Sequence, residues 1–177
     1  MSIIQATGIT VCRFATPTIS TSPAYTSGDQ VGGIMELTNV FRRFYRPYEN
    51  LPSTDSGVVS QAGKATLKSA GVVDISLQNS NFDFWFFNEI PTVASSDNGA
   101  LNITDSEILK LQHVLGFAAT YSTTTQNSSA SASGIELVIT QSPTATSDSL
   151  WVVAQTKSTP TYTTTTALRF KFDFFLD

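Results

Sequence analysis

The chain has 177 residues and a mass of 19.1 kDa, with 10 Lys and Arg against 14 Asp and Glu, one cysteine and one histidine. That length fits one domain that buries roughly 70% of its unfolded surface, and the single Cys12 excludes an internal disulfide framework or a multi-cysteine metal cluster. Charged residues make up only 14%, Ser and Thr number 47, Phe numbers 12 and the net charge is −4; the composition leans towards strands and argues against nucleic acid as a partner.

Met1-Ser2-Ile3-Ile4-Gln5 lacks the basic n-region and apolar run of a signal peptide. No stretch approaches the roughly 18–20 apolar residues of a membrane span, so no membrane partner is expected. The sequons at Asn102 and Asn127 therefore read as chance. Residues 1–33 are rich in Thr, Ser, Pro and Gly, and Pro17, Pro23 and Gly32-Gly33 interrupt every short apolar run. This predicts an extended N-terminal arm that gains order from its neighbour. Ile3, Ile4, Phe14 and Tyr25 are its candidate contact residues, and residues 34–177 form the domain proper.

Ile34-Met35-Glu36-Leu37-Thr38 is the first strand. The stretch from Phe41 to Tyr48 interleaves three arginines with four aromatics. A single-strand nucleic-acid binder would stack bases on such rings and neutralise phosphates with the arginines. No second basic cluster extends the patch, so guanidinium planes lying on neighbouring rings in a loop or interface explain it better. Arg42, Arg43, Phe44, Tyr45, Arg46 and Tyr48 are accordingly interface candidates. Leu51 to Gly63 reads as loop or hairpin tip. Ala65, Leu67, Ser69, Gly71, Val73, Ile75 and Leu77 then share one face of a long amphipathic strand, bent near Ala70-Gly71.

Asn81-Phe82-Asp83-Phe84-Trp85-Phe86-Phe87-Asn88 dominates the middle of the chain. At a two-residue period Phe82, Phe84 and Phe86 fall on one face, and Asp83, Trp85 and Phe87 on the other. Both faces need cover. The first set is assigned to the core, and Trp85 and Phe87 to an opposite layer or a subunit contact.

Thr104 to about Leu115 reads as the one α-helix. Thr104 and Glu107 have capping-box spacing, Ile103 and Ile108 stand at staple positions, and Ile108, Leu111 and Leu115 make a stripe ending at Gly116. On that reading Thr104→Ala costs about 1 kcal/mol. Ser122 to Ser133 is too polar to bury and reads as loop or hairpin tip. Ile135 to Ile139 and Leu150 to Thr156 are strands. The last strand places Leu168, Phe170, Phe172 and Phe174 inward, with Arg169, Lys171 and Asp173 outward. Short strands, turns about every ten residues and one helix predict an all-β antiparallel sandwich, jelly-roll-like.

The search for chemistry returns nothing. His113 lacks metal or triad partners, Cys12 reads as a small buried hydrophobe, and Asp105 and Glu107 read as helix capping. No phosphate loop or dinucleotide fingerprint is present. The expectation is a non-enzymatic chain with no cofactor and no metal.

The order of motifs carries more. Ser22-Pro-Ala-Tyr-Thr-Ser-Gly-Asp-Gln-Val31 precedes the first strand. Gly71-Val-Val-Asp-Ile-Ser-Leu77 leads to Phe86-Phe-Asn-Glu-Ile-Pro91. Asp97-Asn-Gly-Ala-Leu101 follows, then Thr104-Asp-Ser-Glu-Ile-Leu109 and Val114-Leu-Gly116; Leu150-Trp-Val-Val153 and Pro160-Thr-Tyr162 precede the final strand. This order resembles the capsid cement (decoration) proteins of tailed bacteriophages, although the stretch 42–63 is longer and more aromatic-basic than that pattern. The resemblance implies a β-sandwich on the outer capsid, made in the bacterial cytoplasm. It also implies a homotrimer that clamps neighbouring major capsid proteins, with the arm folding on binding, so that deleting residues 1–20 weakens attachment. The alternative is a phage tail or fibre component that binds a host glycan or another virion protein, with Trp85, Trp151 or Tyr162 exposed.

Overall fold

Phe84 meets Phe170, Phe172 and Phe117 edge-on, at centroid separations of 5.0, 5.1 and 5.8 Å, in the space between two antiparallel sheets. Each such ring removes roughly 150–250 Å² from water, and edge-to-face pairing adds to that. The computed structural model describes residues 8–41, 44–45, 60–61, 63–93, 95–118, 120–143 and 147–176. Its strands are β1 (Ile9–Ala15), β2 (Gln30–Leu37), β3 (Phe44–Tyr45), β4 (Ser60–Gln61), β5 (Lys64–Asp74), β6 (Phe82–Phe87), β7 (Leu111–Phe117), β8 (Ser122–Thr123), β9 (Ser128–Thr140), β10 (Leu150–Thr156) and β11 (Leu168–Leu176). One short helix, α1 (Asp105–Ile108), precedes β7.

One sheet has the order β1-β11-β5-β9-β8 and the other β2-β10-β6-β7, while β3 and β4 pair separately. The chain is thus an all-β antiparallel sandwich, as its composition and alternation predict. The eight long strands pair first with last and so on inwards: β1 with β11, β2 with β10, β5 with β9 and β6 with β7. Phe82, Phe84 and Phe86 on β6 and Leu168, Phe170, Phe172 and Phe174 on β11 are all buried in the core between the sheets, as their period of two requires.

Four expectations are corrected. The helix spans four residues and not 104–115. Leu111–Phe117 instead pairs along β6, with Phe117 opposite Phe82 and Leu115 opposite Phe84. The same apolar residues satisfy a helical and an alternating pattern, and the open edge of an aromatic strand decides between them. Thr104 makes no side-chain cap bond: its hydroxyl pairs with Ser106, the Glu107 amide donates to the Thr104 carbonyl, and the Glu107 carboxylate is engaged elsewhere.

The arm is corrected next. From Gly8 onwards the first 33 residues belong to the sandwich: β1 is paired along its length with β11, and β2 already begins at Gln30. Ile19 and Tyr25 are core residues. The domain boundary at 33/34 therefore divides strand β2, where Gly32 and Gly33 form a bulge with φ of +76° and +74°. A Cβ on Gly32 would lie 2.0 Å from the Pro17 Cβ, so glycine is required there.

On β5 the expected face holds only for Ala65 and Leu67. The register shifts between Leu67 and Ser69, one residue is bulged, and Ala70, Val72 and Asp74 then point inward. Val73, Ile75 and Leu77 are left exposed. A single extra residue exchanges the two faces of every position after it.

Finally, the polar stretch 122–133 contributes the hairpin β8–β9 and the start of a 13-residue strand. Its small side chains lie against β5 along the ladder Ser129–Val73, Ser131–Gly71 and Ser133–Ser69.

Candidate functional site

The outer face of the four-stranded sheet carries aromatic side chains that the core does not use. On β6 these are Trp85 and Phe87, and opposite them in register on β10 lie Val153 and Trp151. Gln155 on β10 and Gln30 on β2 continue the same face. Phe87 and Val153 are both 0% exposed, although neither belongs to the core between the sheets. Phe87 was an expected interface residue; its cover is the protein's own chain. The segment 88–104 leaves β6, crosses this face to β2 and returns to β7 as a strap.

At its far end the strap is fixed to β2 and the preceding loop. The backbone amide of Gln30 donates to the Gly99 carbonyl at 2.8 Å, Asn98 N–H donates to Gln30 O at 2.9 Å and Leu101 N–H to Gly28 O at 3.0 Å. Asp97 accepts from the Tyr25 hydroxyl at 2.7 Å, from Gly32 N–H at 2.6 Å and from Ser20 N–H at 2.5 Å. Tyr25, another expected interface residue, is 1% exposed and serves as an internal strut. Burial first, and the Asp97 carboxylate second, push its phenol well above the usual range.

At the near end a second brace holds α1. The Lys110 ammonium donates to Glu107 Oε2 at 2.7 Å and to the Ile90 carbonyl at 3.1 Å, while Thr92 N–H donates to the same Glu107 oxygen at 2.7 Å. Asn88 N–H closes the loop on Lys110 O at 3.1 Å. The Lys110 contact, reinforced by the Thr92 amide, holds the Glu107 carboxyl below its usual range. This brace presents apolar side chains to solvent. Leu109 is 84% exposed, and Ile90 and Ile108 beside it are exposed too. Fixed apolar side chains at the surface mark contact surfaces more often than scattered exposed ones do.

His113 sits on β7, not in a helix. Its Nε2–H donates to the Val138 carbonyl at 2.8 Å, Asn88 Nδ2 donates to Thr140 O at 3.3 Å, and Gln112 Oε1 accepts from Thr140 N–H at 3.4 Å. Three side chains from β6–β7 thereby occupy the edge groups of β9, closing one side of the sandwich against strand addition. Arg13 on β1 donates to Thr38 O and Asn39 O, both at 2.6 Å, just past the end of β2. Beside it Phe14 is 68% exposed on β1, as an interface residue would be. Cys12 is half-buried on β1, and burial first, then Asp173, push its thiol up.

Of the remaining candidates, Ile3, Ile4, Arg42, Arg43, Arg46 and Tyr48 lie outside the described residues, and Phe44 and Tyr45 are described only as the backbone of β3. Trp85 and Trp151 are half-buried and Tyr162 is interior. The sequence reading missed Ile90 and Leu109. Leu109 carried a signal: it falls off the helical stripe of Ile108, Leu111 and Leu115, so no packing role claimed it. Among the described residues no three His, Cys, Asp or Glu side chains converge as a metal-ligand set, and no helix is long and apolar enough to cross a membrane. Compared with known proteins, the chain matches no family model, no curated protein and no solved structure.

Proposed function

We propose that the chain is a structural virion protein of the capsid cement (decoration) type, bound to the outer surface of a phage shell. There it clamps neighbouring copies of the major capsid protein, acting as a homotrimer and not as an enzyme. The observation that carries this reading is the braced apolar prominence of Ile90 and Leu109. Apolar, exposed side chains on a backbone held by an ion pair and backbone bonds suit docking into a partner, because little backbone ordering entropy remains to oppose binding. Two further features support it. The order of sequence motifs resembles that family, and an all-β antiparallel sandwich is the fold that resemblance implies.

Cementing adds buried apolar area across subunit boundaries. Burying one leucine contributes roughly 1.5–3 kcal/mol, so Leu109 in each copy accounts for about tenfold or more in affinity. The test is a Leu109→Asp variant mixed with shells of the major capsid protein. Occupancy after sedimentation should fall about tenfold or more, with the circular dichroism spectrum and melting temperature unchanged, since the side chain makes little contact within the chain. Undiminished occupancy would contradict the proposal.

A further inference from the structure

Between the strap and the sheet lies a pocket of about 290 Å³, lined by Trp85, Leu101, Asn102, Ile103, Ile108 and Gln155. We propose that this pocket binds a neutral polyhydroxylated ring, one sugar residue of a glycan, with Trp85 as its platform.

The ligand class follows from the wall. None of the lining residues is ionisable, and Asp83, on the same face of β6 as Trp85, is paired with Lys157 at 2.9 Å. A charged ligand would have no counter-charge. Leu101, Ile103, Ile108 and the indole offer apolar surface to the C–H faces of a ring, while two carboxamides interrupt it, which suits a sugar better than a lipid tail. Gln155 donates its Nε2 to the Gly28 carbonyl at 2.9 Å. That bond fixes the amide and leaves Oε1 to accept from a ligand hydroxyl. Asn102 is exposed and can donate or accept. A hydroxyl does both, so the wall complements it. The volume is at the small end of ligand sites, with room for about ten waters, which limits the occupant to a single ring.

A second observation points the same way. Trp85 Nε1 and Gln30 Nε2 are buried donors with no acceptor among the described residues, and both belong to this face. Buried polar groups are normally paired, and an orphaned donor is relieved by an arriving acceptor. Trp85 Nε1 is buried. Of the lining residues Ile108 is exposed, and rotation of an exposed side chain is fast. In the proposal that motion lets a ligand oxygen reach the indole N–H. The inference is independent of the assembly reading, since the pocket can bind or fail to bind whatever Leu109 does.

The chain has two tryptophans, so its amide–nitrogen correlation spectrum contains two indole signals, assigned with Trp85→Phe. The full chain is titrated with glucose, galactose, mannose, N-acetylglucosamine and their short oligomers. The Trp85 signal should shift and saturate with at least one of them, while the Trp151 signal shifts far less. Asn102→Ala and Gln155→Ala should each weaken that binding by about threefold to tenfold, the effect of one lost hydrogen bond. A Trp85 signal fixed against every sugar would mean an indole satisfied by water only and overturn the proposal. Binding undiminished in both alanine variants would overturn it as well.

Discussion

Three phenols, two buried and one half-buried, weaken the fold at alkaline pH. Tyr25, Tyr121 and Tyr162 all titrate above the ordinary tyrosine range, burial being the largest cause in each. Tyr121 and Tyr162 both donate to Ser80, one to its carbonyl at 2.5 Å and the other to its hydroxyl at 3.4 Å. In the unfolded chain these phenols ionise near about pH 10. Above that the unfolded state sheds protons that the native state keeps, so stability falls as pH rises. The prediction is that their phenolate absorbance appears together with loss of the near-ultraviolet dichroism, in one transition above about pH 10. Ionisation of these three while the fold persists would contradict it. At this scale the phenylalanines were legible, because Phe82, Phe84 and Phe86 keep a strict period. Asp74 was not. Alternation placed it outward, yet behind the β5 bulge it is buried and accepts from the backbone amides of Ser76, Gln78 and Asn79 at 2.8–3.0 Å. Burial pushes its carboxyl up while those amides pull it down.

At the scale of elements, 104–117 shows why local pattern alone misleads. Capping-box spacing and an i, i+3, i+7 stripe describe a helix, but Leu111, Leu115 and Phe117 also fit a strand, and β6 offers an unfilled edge. Tertiary pairing outweighs a helix propensity that is marginal over so short a run. Glu107 is therefore a brace and not a cap partner. Thr104→Ala should cost under about 0.5 kcal/mol, as at an ordinary surface site, and not the 1 kcal/mol of a lost cap. Glu107→Ala should lower the melting temperature more and speed amide exchange at Thr92. Equal effects, or faster exchange only in Thr104→Ala, would restore the helix-cap reading. The N-terminal stretch was misread for a related reason. Pro17, Pro23 and Gly32-Gly33 do break regular structure, but ahead of the first break Ile9–Ala15 pairs in full with β11. Deleting residues 1–20 would remove β1 and the buried Ile19, so it would test folding and not attachment.

For the whole molecule, two sheets with an aromatic core give a rigid body in which side chains cover the open edge of β9. Asn88, Gln112 and His113 occupy backbone groups there that could otherwise recruit a strand. Association through an added strand is therefore disfavoured there, and contact through side chains such as Phe14, Ile90 and Leu109 is favoured. The sandwich itself was legible from composition and alternation. Its strap was not, because the turn residues of 95–101 say nothing about where that stretch lies. Proline, serine and glycine fix local bends, while the crossing is fixed by Asp97, Asn98 and Gly99 meeting β2. The native mass of the chain, measured alone and with shells of the major capsid protein, tests the assembly reading. A homotrimeric cement protein has three times the 19.1 kDa chain mass in solution and binds the shells, and Leu109→Asp weakens that binding about tenfold or more. A monomer that binds neither itself nor the shells would contradict it.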